Sequence, residues 1–113
     1  MSRFTAPIAE QIWDMKYRFK EADGSPIDQS VEDTWRRIAR SLASVEADPK
    51  LWEDTFYHAL EDFKYLPAGR ITAGAGTERS VTLFNSFVMG TIPDSMGGIF
   101  DMLKEAALTM QQG

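Results

Sequence analysis

The sequence predicts a mainly α fold, one small domain of about four helices with a short β-hairpin or a lone strand. Three observations carry this expectation. Apolar residues recur at helical spacing in four separate stretches. Proline, hydroxyl or acidic residues stand where several of those stretches begin. A single stretch, RSVTLFNSFVMG at residues 79–90, is apolar and β-prone without a helical period.

The first helix is expected over about residues 7–20. Thr5 is a candidate cap and Pro7 suits a first turn. Ile8, Ile12, Met15 and Phe19 recur at spacings of four, three and four and form one apolar stripe. The turn residues Ala22-Asp23-Gly24-Ser25-Pro26 end it. A second helix is expected over about residues 30–45. Val31, Trp35, Ile38, Ala39, Leu42 and Val45 form its buried face, and Arg36, Arg37 and Arg40 lie off it. Asp48-Pro49 opens a third helix with Trp52, Phe56, Ala59, Leu60 and Phe63 on one face. One tryptophan per helix (Trp13, Trp35 and Trp52) predicts that the three helices pack together through them.

After Phe63 the pattern changes. Leu66-Pro67-Ala68-Gly69-Arg70 is a break, and Ala73-Gly74-Ala75-Gly76-Thr77 reads as a glycine-rich loop. Residues 81–88 are the strand candidate. A lone strand cannot satisfy its own backbone groups, so it needs residues 71–75 or an outside partner. A final helix is expected over about residues 96–112, with Ile99, Met102, Leu103, Ala106 and Met110 on one face. The organisation is one domain over 1–113, helical over 1–65, glycine loop and strand over 66–92, and a C-terminal helix over 93–113.

Composition narrows the chemistry. With no cysteine, the chain has no disulfide, thiol or iron–sulfur chemistry, and with one histidine a histidine-based metal site is not expected. A net charge of −5 disfavours DNA or RNA as partner. No apolar run approaches the length of a membrane span, and MSRFTAPIAEQIW has no signal-peptide core, so a cytoplasmic chain is expected. Gly74 and Gly76, flanked by Arg70 and Arg79, are candidates for holding a nucleotide or phosphate, though the spacing lacks a full phosphate-loop signature. The alternative is a flexible connector with solvated arginines. His58 reads as a surface or interface residue, and the methionines at 89, 96, 102 and 110 as packing residues. Ser86 has no neighbouring base to activate it.

IWDMKYRF, DGSPIDQSVEDTWRRIARSLA, FYHALEDFKYLPAGRITAGAGT and VTLFNSFVMGTIPDSMGGIFDMLKEAALTMQQG together resemble the N-terminal region of ribonucleotide reductases. The adenosylcobalamin-dependent (class II) kind is the nearest. The resemblance runs over nearly the whole chain, and the LPAGRI break, the LFNSFVMGTIPDSM stretch and the helix into QQG are its specific parts. It implies a family that reduces ribonucleotides to deoxyribonucleotides for DNA synthesis on a ten-stranded α/β barrel preceded by helices. It also implies a cysteine thiyl radical generated from adenosylcobalamin, with two further cysteines as reductants.

By resemblance, residues 81–88 become the first barrel strand. Ser86 takes the place of a reducing cysteine, and Asn85 and Ser86 lie in the substrate pocket. A hydroxyl cannot form a disulfide or stand in for a thiolate. The radical cysteine, the second reducing cysteine and the cobalamin surface belong to later segments, so this chain alone holds no cofactor and is not expected to catalyse the reaction. Three roles follow. The chain is a non-catalytic binding or regulatory module that docks on a full-length reductase or on its own copies, pairing as a homo-oligomer through the strand at 81–88. Alternatively it is a fragment or split piece of the full reductase, its end at Gly113 falling where the family's glycine loop begins. A small nucleotide-binding module is the third.

Overall fold

A computed structural model describes residues 2–112. Helix α1 (Pro7–Ile12) runs directly into a wider π-type turn (Trp13–Tyr17), closed by Arg18 N donating to the Trp13 carbonyl at 2.9 Å. A polar loop then reverses the chain. In it Lys20 and Pro26 form the one β-bridge among the described residues, and the Phe19 carbonyl accepts from Ile27 N at 2.8 Å and Asp28 N at 3.0 Å. Helix α2 (Val31–Ala43) and helix α3 (Pro49–Leu60) make the main helix–helix contact. Asp48 caps α3, its carboxylate accepting from Leu51 N, with Pro49 in the first turn as its sequence predicts. A short 3-10 turn (Glu61–Phe63) and helix α4 (Gly69–Gly74) follow. After an irregular stretch, α5 (Met96–Gln112) ends the described chain. The fold is mainly helical, as expected.

The core lies between α1, α2, the end of α3 and α4. Trp13, Val31, Trp35, Ile38, Leu60 and Ala75 are buried, with Phe4, Tyr17, Tyr57, Phe63 and Ile71 packed on them. Phe63 reaches this core by an unusual route. Asp62 and Phe63 both take left-handed backbone conformations (φ 58° and 59°), which turns the chain sharply and lays the Phe63 ring against Trp35 (5.2 Å) and Phe4 (5.3 Å). Asp62 is held there by Arg3.

Several expectations need correction. The stripe Ile8–Ile12–Met15 faces outward, and Trp13 and Tyr17 turn inward instead. Ile8 and Ile12 are exposed ahead of the π-type turn, and the turn then shifts the residues beyond Ile12, leaving Met15 outside and bringing Tyr17 inward. Val45 is exposed beyond the end of α2 at Ala43, and Leu42, in the last turn of that helix, is exposed as well. Trp52 is also exposed, stacked beside Phe56, so two of the three tryptophans join the core. The glycine-rich loop is partly helical, with Gly74 as the last residue of α4. Most important, residues 81–88 form no strand: the stretch is irregular and largely exposed. A strand needs a neighbour for its ladder, and neither residues 71–75, which are helical up to Gly74, nor any other described segment provides one.

Helix α5 begins at the predicted residue, with the Ser95 hydroxyl accepting from Gly98 N at 3.0 Å. It stands away from the body. Among the described residues its one backbone hydrogen bond to a distant segment is from Thr82 N to the Gln112 carbonyl at 3.4 Å, and Met96, Ile99, Phe100, Leu103, Leu108 and Met110 are exposed. The packing role expected for Met89, Met96 and Met110 is therefore not realised among the described residues. The chain extends 58 Å along its long axis, with a radius of gyration of 17.8 Å. A compact chain of about this length has a radius near 13 Å. No helix among the described residues is long and apolar enough to cross a membrane.

Ile38 is 1% exposed and Val45 88%. Ile38→Ala is expected to lower unfolding stability by about 2–4 kcal/mol, through lost burial and the cavity left behind. Val45→Ala should stay within about 0.5 kcal/mol. Urea denaturation followed by tryptophan fluorescence measures both. A second expectation concerns acid. The Arg18 hydrogen bond, with Lys20 adding to it, holds the Asp14 carboxyl below its ordinary range. Its contribution is thus complete above the ordinary carboxylate pKa and is lost as pH falls through the depressed value. Asp14→Asn should flatten that part of the acid limb of a stability–pH curve.

Candidate functional site

Helix α2 carries the side chain that assembles the site region. Arg37 is buried, contrary to its expected place off the apolar face. Its guanidinium donates to the Asp28 carboxylate (3.0 Å), the Ala75 carbonyl (2.7 Å), the Thr72 carbonyl (3.0 Å) and the Tyr17 carbonyl (3.2 Å). Asp28, also buried, accepts in addition from Phe19 N at 3.1 Å and from the Thr34 hydroxyl at 2.7 Å. Thr34 in turn accepts from Trp13 Nε1 at 3.0 Å. No buried side-chain nitrogen or oxygen among the described residues lacks a partner. Gly76 belongs to this assembly. Its φ is +73°, and a Cβ there would stand 2.9 Å from Arg37 Cγ and 3.1 Å from the Arg37 carbonyl, so only glycine fits without displacement.

The network fixes residues 72–77 and thereby shapes two concavities. The larger, about 500 Å³, is lined by Phe4, Trp13, Tyr17, Trp35, Phe63 and Tyr65 among others, with Arg3 beside it. It is aromatic and lacks a catalytic pair. Next to it, burial pushes the Tyr57 hydroxyl pKa upward, with nearby Glu61 and Glu32 adding to the rise. The smaller cleft, about 150 Å³, is lined by Arg70, Ala73, Gly74, Arg79, Val81 and Thr82. Arg79 is anchored by donating to the Lys20 carbonyl at 2.8 Å and by lying over the Phe19 ring at 5.1 Å. A Cβ on Gly74 would stand 3.1 Å from Val81 and 3.2 Å from Leu83, so the chain crosses closely there.

Three of the four phosphate candidates, Arg70, Gly74 and Arg79, thus meet at one cleft, and Gly76 packs on α2 instead. Asn85 and Ser86 lie apart from it on the exposed irregular stretch. His58, on the exposed end of α3, has Glu61 at 3.0 Å from its Nδ1. Among the described residues no group of three or more His, Asp or Glu side chains is placed to hold a metal ion. Arg37 and Asp28 were missed by sequence reasoning. In the sequence Arg37 follows Arg36 directly and precedes the apolar Ile38 and Ala39, so no local signal set it apart from its neighbour.

The family described as the ribonucleotide reductase all-alpha domain matches residues 3–80. The chain belongs to that family. Among curated relatives, the ribonucleoside-diphosphate reductase subunit alpha of Helicobacter pylori is 33% identical over 98 residues. That alignment covers 87% of this chain and 12% of the relative. The protein of the same name in Chlamydia muridarum is 29% identical over 90 residues, covering 80% of this chain and 8% of that one. The Chlamydia trachomatis protein is 31% identical over 74 residues, 66% of this chain and 7% of that protein. The chain therefore spans about an eighth or less of the length of these relatives. No solved structure matches it significantly.

The buried ion pair yields a prediction. Asp28→Ala leaves the Arg37 charge buried without its carboxylate and is expected to cost about 3–5 kcal/mol of stability. The double change Asp28→Ala with Arg37→Leu should recover part of this loss, because it removes the orphaned charge. Chemical denaturation of the three proteins measures the difference.

Proposed function

We propose that this chain is the N-terminal helical region of a ribonucleotide reductase catalytic subunit and acts by packing onto the remainder of that enzyme. The reduction of ribonucleotides to deoxyribonucleotides belongs to the assembled reductase. The observation that carries the reading is the unpartnered apolar face of α5, with Ile99, Phe100, Leu103 and Met110 exposed on a chain far shorter than its relatives. Apolar area of that kind is stabilised by removal from water. The irregular stretch at 81–92 adds Phe84, Val88 and Ile92 to it. Its unpaired backbone is available to join a sheet supplied by the partner.

The finer assignment to the adenosylcobalamin-dependent class rests on the resemblance of LFNSFVMGTIPDSM. The residues of this chain do not fit that cofactor: the aromatic-lined cavity of about 500 Å³ is of the size that takes a small organic ligand, well below a corrin, and no ligating cluster occurs among the described residues. Asn85 and Ser86 would line the substrate pocket of the assembled enzyme. With Ser86 in place of a thiol, that assembly lacks one of its two reductants.

Co-expression with the remaining reductase segment from the same source tests the reading. A one-to-one complex is expected, and Phe100→Asp with Leu103→Asp should abolish it. Ribonucleotide reduction should be absent from the chain alone and from the Ser86 complex, and should appear in a Ser86→Cys complex. A chain that stays monomeric beside that segment sinks the proposal. A stable dimer of the chain alone, insensitive to the two aspartates, would replace it with self-association elsewhere.

A further inference from the structure

Seven arginines occur in this acidic chain, and five of them hold a carboxylate. Arg3 pairs with Glu32 at 3.0 Å, Arg18 with Asp14 at 2.9 Å and Arg36 with Asp54 at 2.9 Å. Arg37 pairs with Asp28 at 3.0 Å and Arg40 with Glu53 at 2.8 Å. Arg70 and Arg79 have no carboxylate at ion-pair distance among the described residues, and both line the same 150 Å³ cleft. In a chain with 17 acidic residues against 12 basic ones, two arginines sharing a cleft without an acid stand apart from the general surface.

We propose that this cleft is a binding site for a phosphate group, free or carried by a phosphorylated ligand. Arg79 is prepared for the task. Its Nη2 hydrogen bond to Lys20 and its stacking on Phe19 fix the guanidinium, and its other N–H groups have no protein partner among the described residues. A guanidinium so held loses little further freedom when it forks onto an oxyanion. Arg70 supplies a second charge from α4. Thr82 adds a hydroxyl that already accepts from Phe84 N at 3.1 Å, which leaves its proton to donate into the cleft. The close crossing of Gly74 beneath Val81 and Leu83 gives the cleft an apolar side. The volume admits one phosphate and leaves any attached nucleoside outside. Recognition is therefore of the charge, with a base or sugar adding contacts only beyond the rim. The net −5 of the chain opposes anion approach from afar, but at physiological salt that field is screened beyond about 8 Å, and the two arginines dominate at contact.

This site stands independently of the docking proposed above. Titration of the 113-residue chain with inorganic phosphate, and separately with adenosine diphosphate, followed by phosphorus NMR and calorimetry, tests it. Saturable binding is expected at millimolar phosphate, weakening with added salt and on acidification as the dianion gives way to the monoanion. Arg70→Gln and Arg79→Gln should each weaken it about tenfold, the scale of one charged hydrogen bond, and Arg36→Gln should leave it unchanged. Equal affinity for the two ligands identifies the phosphate alone as what is read, and tighter diphosphate binding adds the nucleoside as a second contact; both support the site. Arg79→Gln also loses its ties to Lys20 and Phe19, so a native circular dichroism spectrum of each variant at the titration temperature is the control. Absence of saturation at tens of millimolar phosphate, unaltered affinity in either cleft variant, or equal loss in Arg36→Gln overturns the proposal.

Discussion

The buried pair of Arg37 and Asp28 is the constraint on which the rest of this structure depends. Removing two charges from water is costly, and such a pair persists only where every remaining donor and acceptor is satisfied. Here Arg37 reaches carbonyls of Tyr17, Thr72 and Ala75, while Asp28 takes the Phe19 amide and the Thr34 hydroxyl. One ion pair thereby ties the end of α1, the polar loop, α2 and the end of α4 to a single arrangement. Apolar packing of Trp13, Trp35 and Ile38 supplies driving force, and the directed bonds choose which arrangement that force stabilises. The π-type turn at Trp13–Tyr17 fits this logic, because it delivers the Tyr17 carbonyl to Arg37 and the Trp13 indole to Thr34 together.

The reach of that network also sets where the body stops. Its last members are Ala75 and, by close packing, Gly76. Beyond Thr77 the burial pattern turns almost wholly exposed, and α5 keeps its helix with little tertiary support. The family match ends at residue 80, at nearly the same point. Packing thus divides the chain here, while the likeness to the reductase relatives continues past residue 80. A 17-residue amphipathic helix without a packed face is marginal by itself, since most helical stability in proteins comes from tertiary contact.

Much of this fold was legible in the sequence, and the failures have definite causes. The Asp48-Pro49 pair and Ser95 mark helix starts by local chemistry, and local chemistry is what a sequence exposes. The continuation of the α1 stripe to Met15 was misread because a helical period of 3.6 assumes no change of winding, and the turn at Trp13 changes it. Arg37 was misread because charged residues are normally placed on the solvated side, a rule that a distant aspartate overrides. Residues 81–88 were read as a strand from β propensity, which measures fit to a sheet surface that is not supplied here. The convergence of Arg70 and Arg79 on one cleft was partly legible, as flanking positions, while the inward place of Gly76 depended on Arg37 and was not.

The position of Ser86 follows from the same division. Group-transfer chemistry requires reacting atoms held at near-contact distance, and an irregular exposed stretch holds nothing to that tolerance. Whatever substrate geometry this stretch achieves must come from surfaces that pack against 81–92 and α5. The folded body contributes something different: a rigid base, locked by Arg37 and Asp28, from which that stretch departs. Asn85 and Ser86 begin about ten residues past the last locked carbonyl at Ala75, close enough for the body to fix where the stretch starts and too far for it to fix where Ser86 ends. A serine at this position carries no thiol chemistry, and the loose connection gives no fixed geometry to any residue placed there.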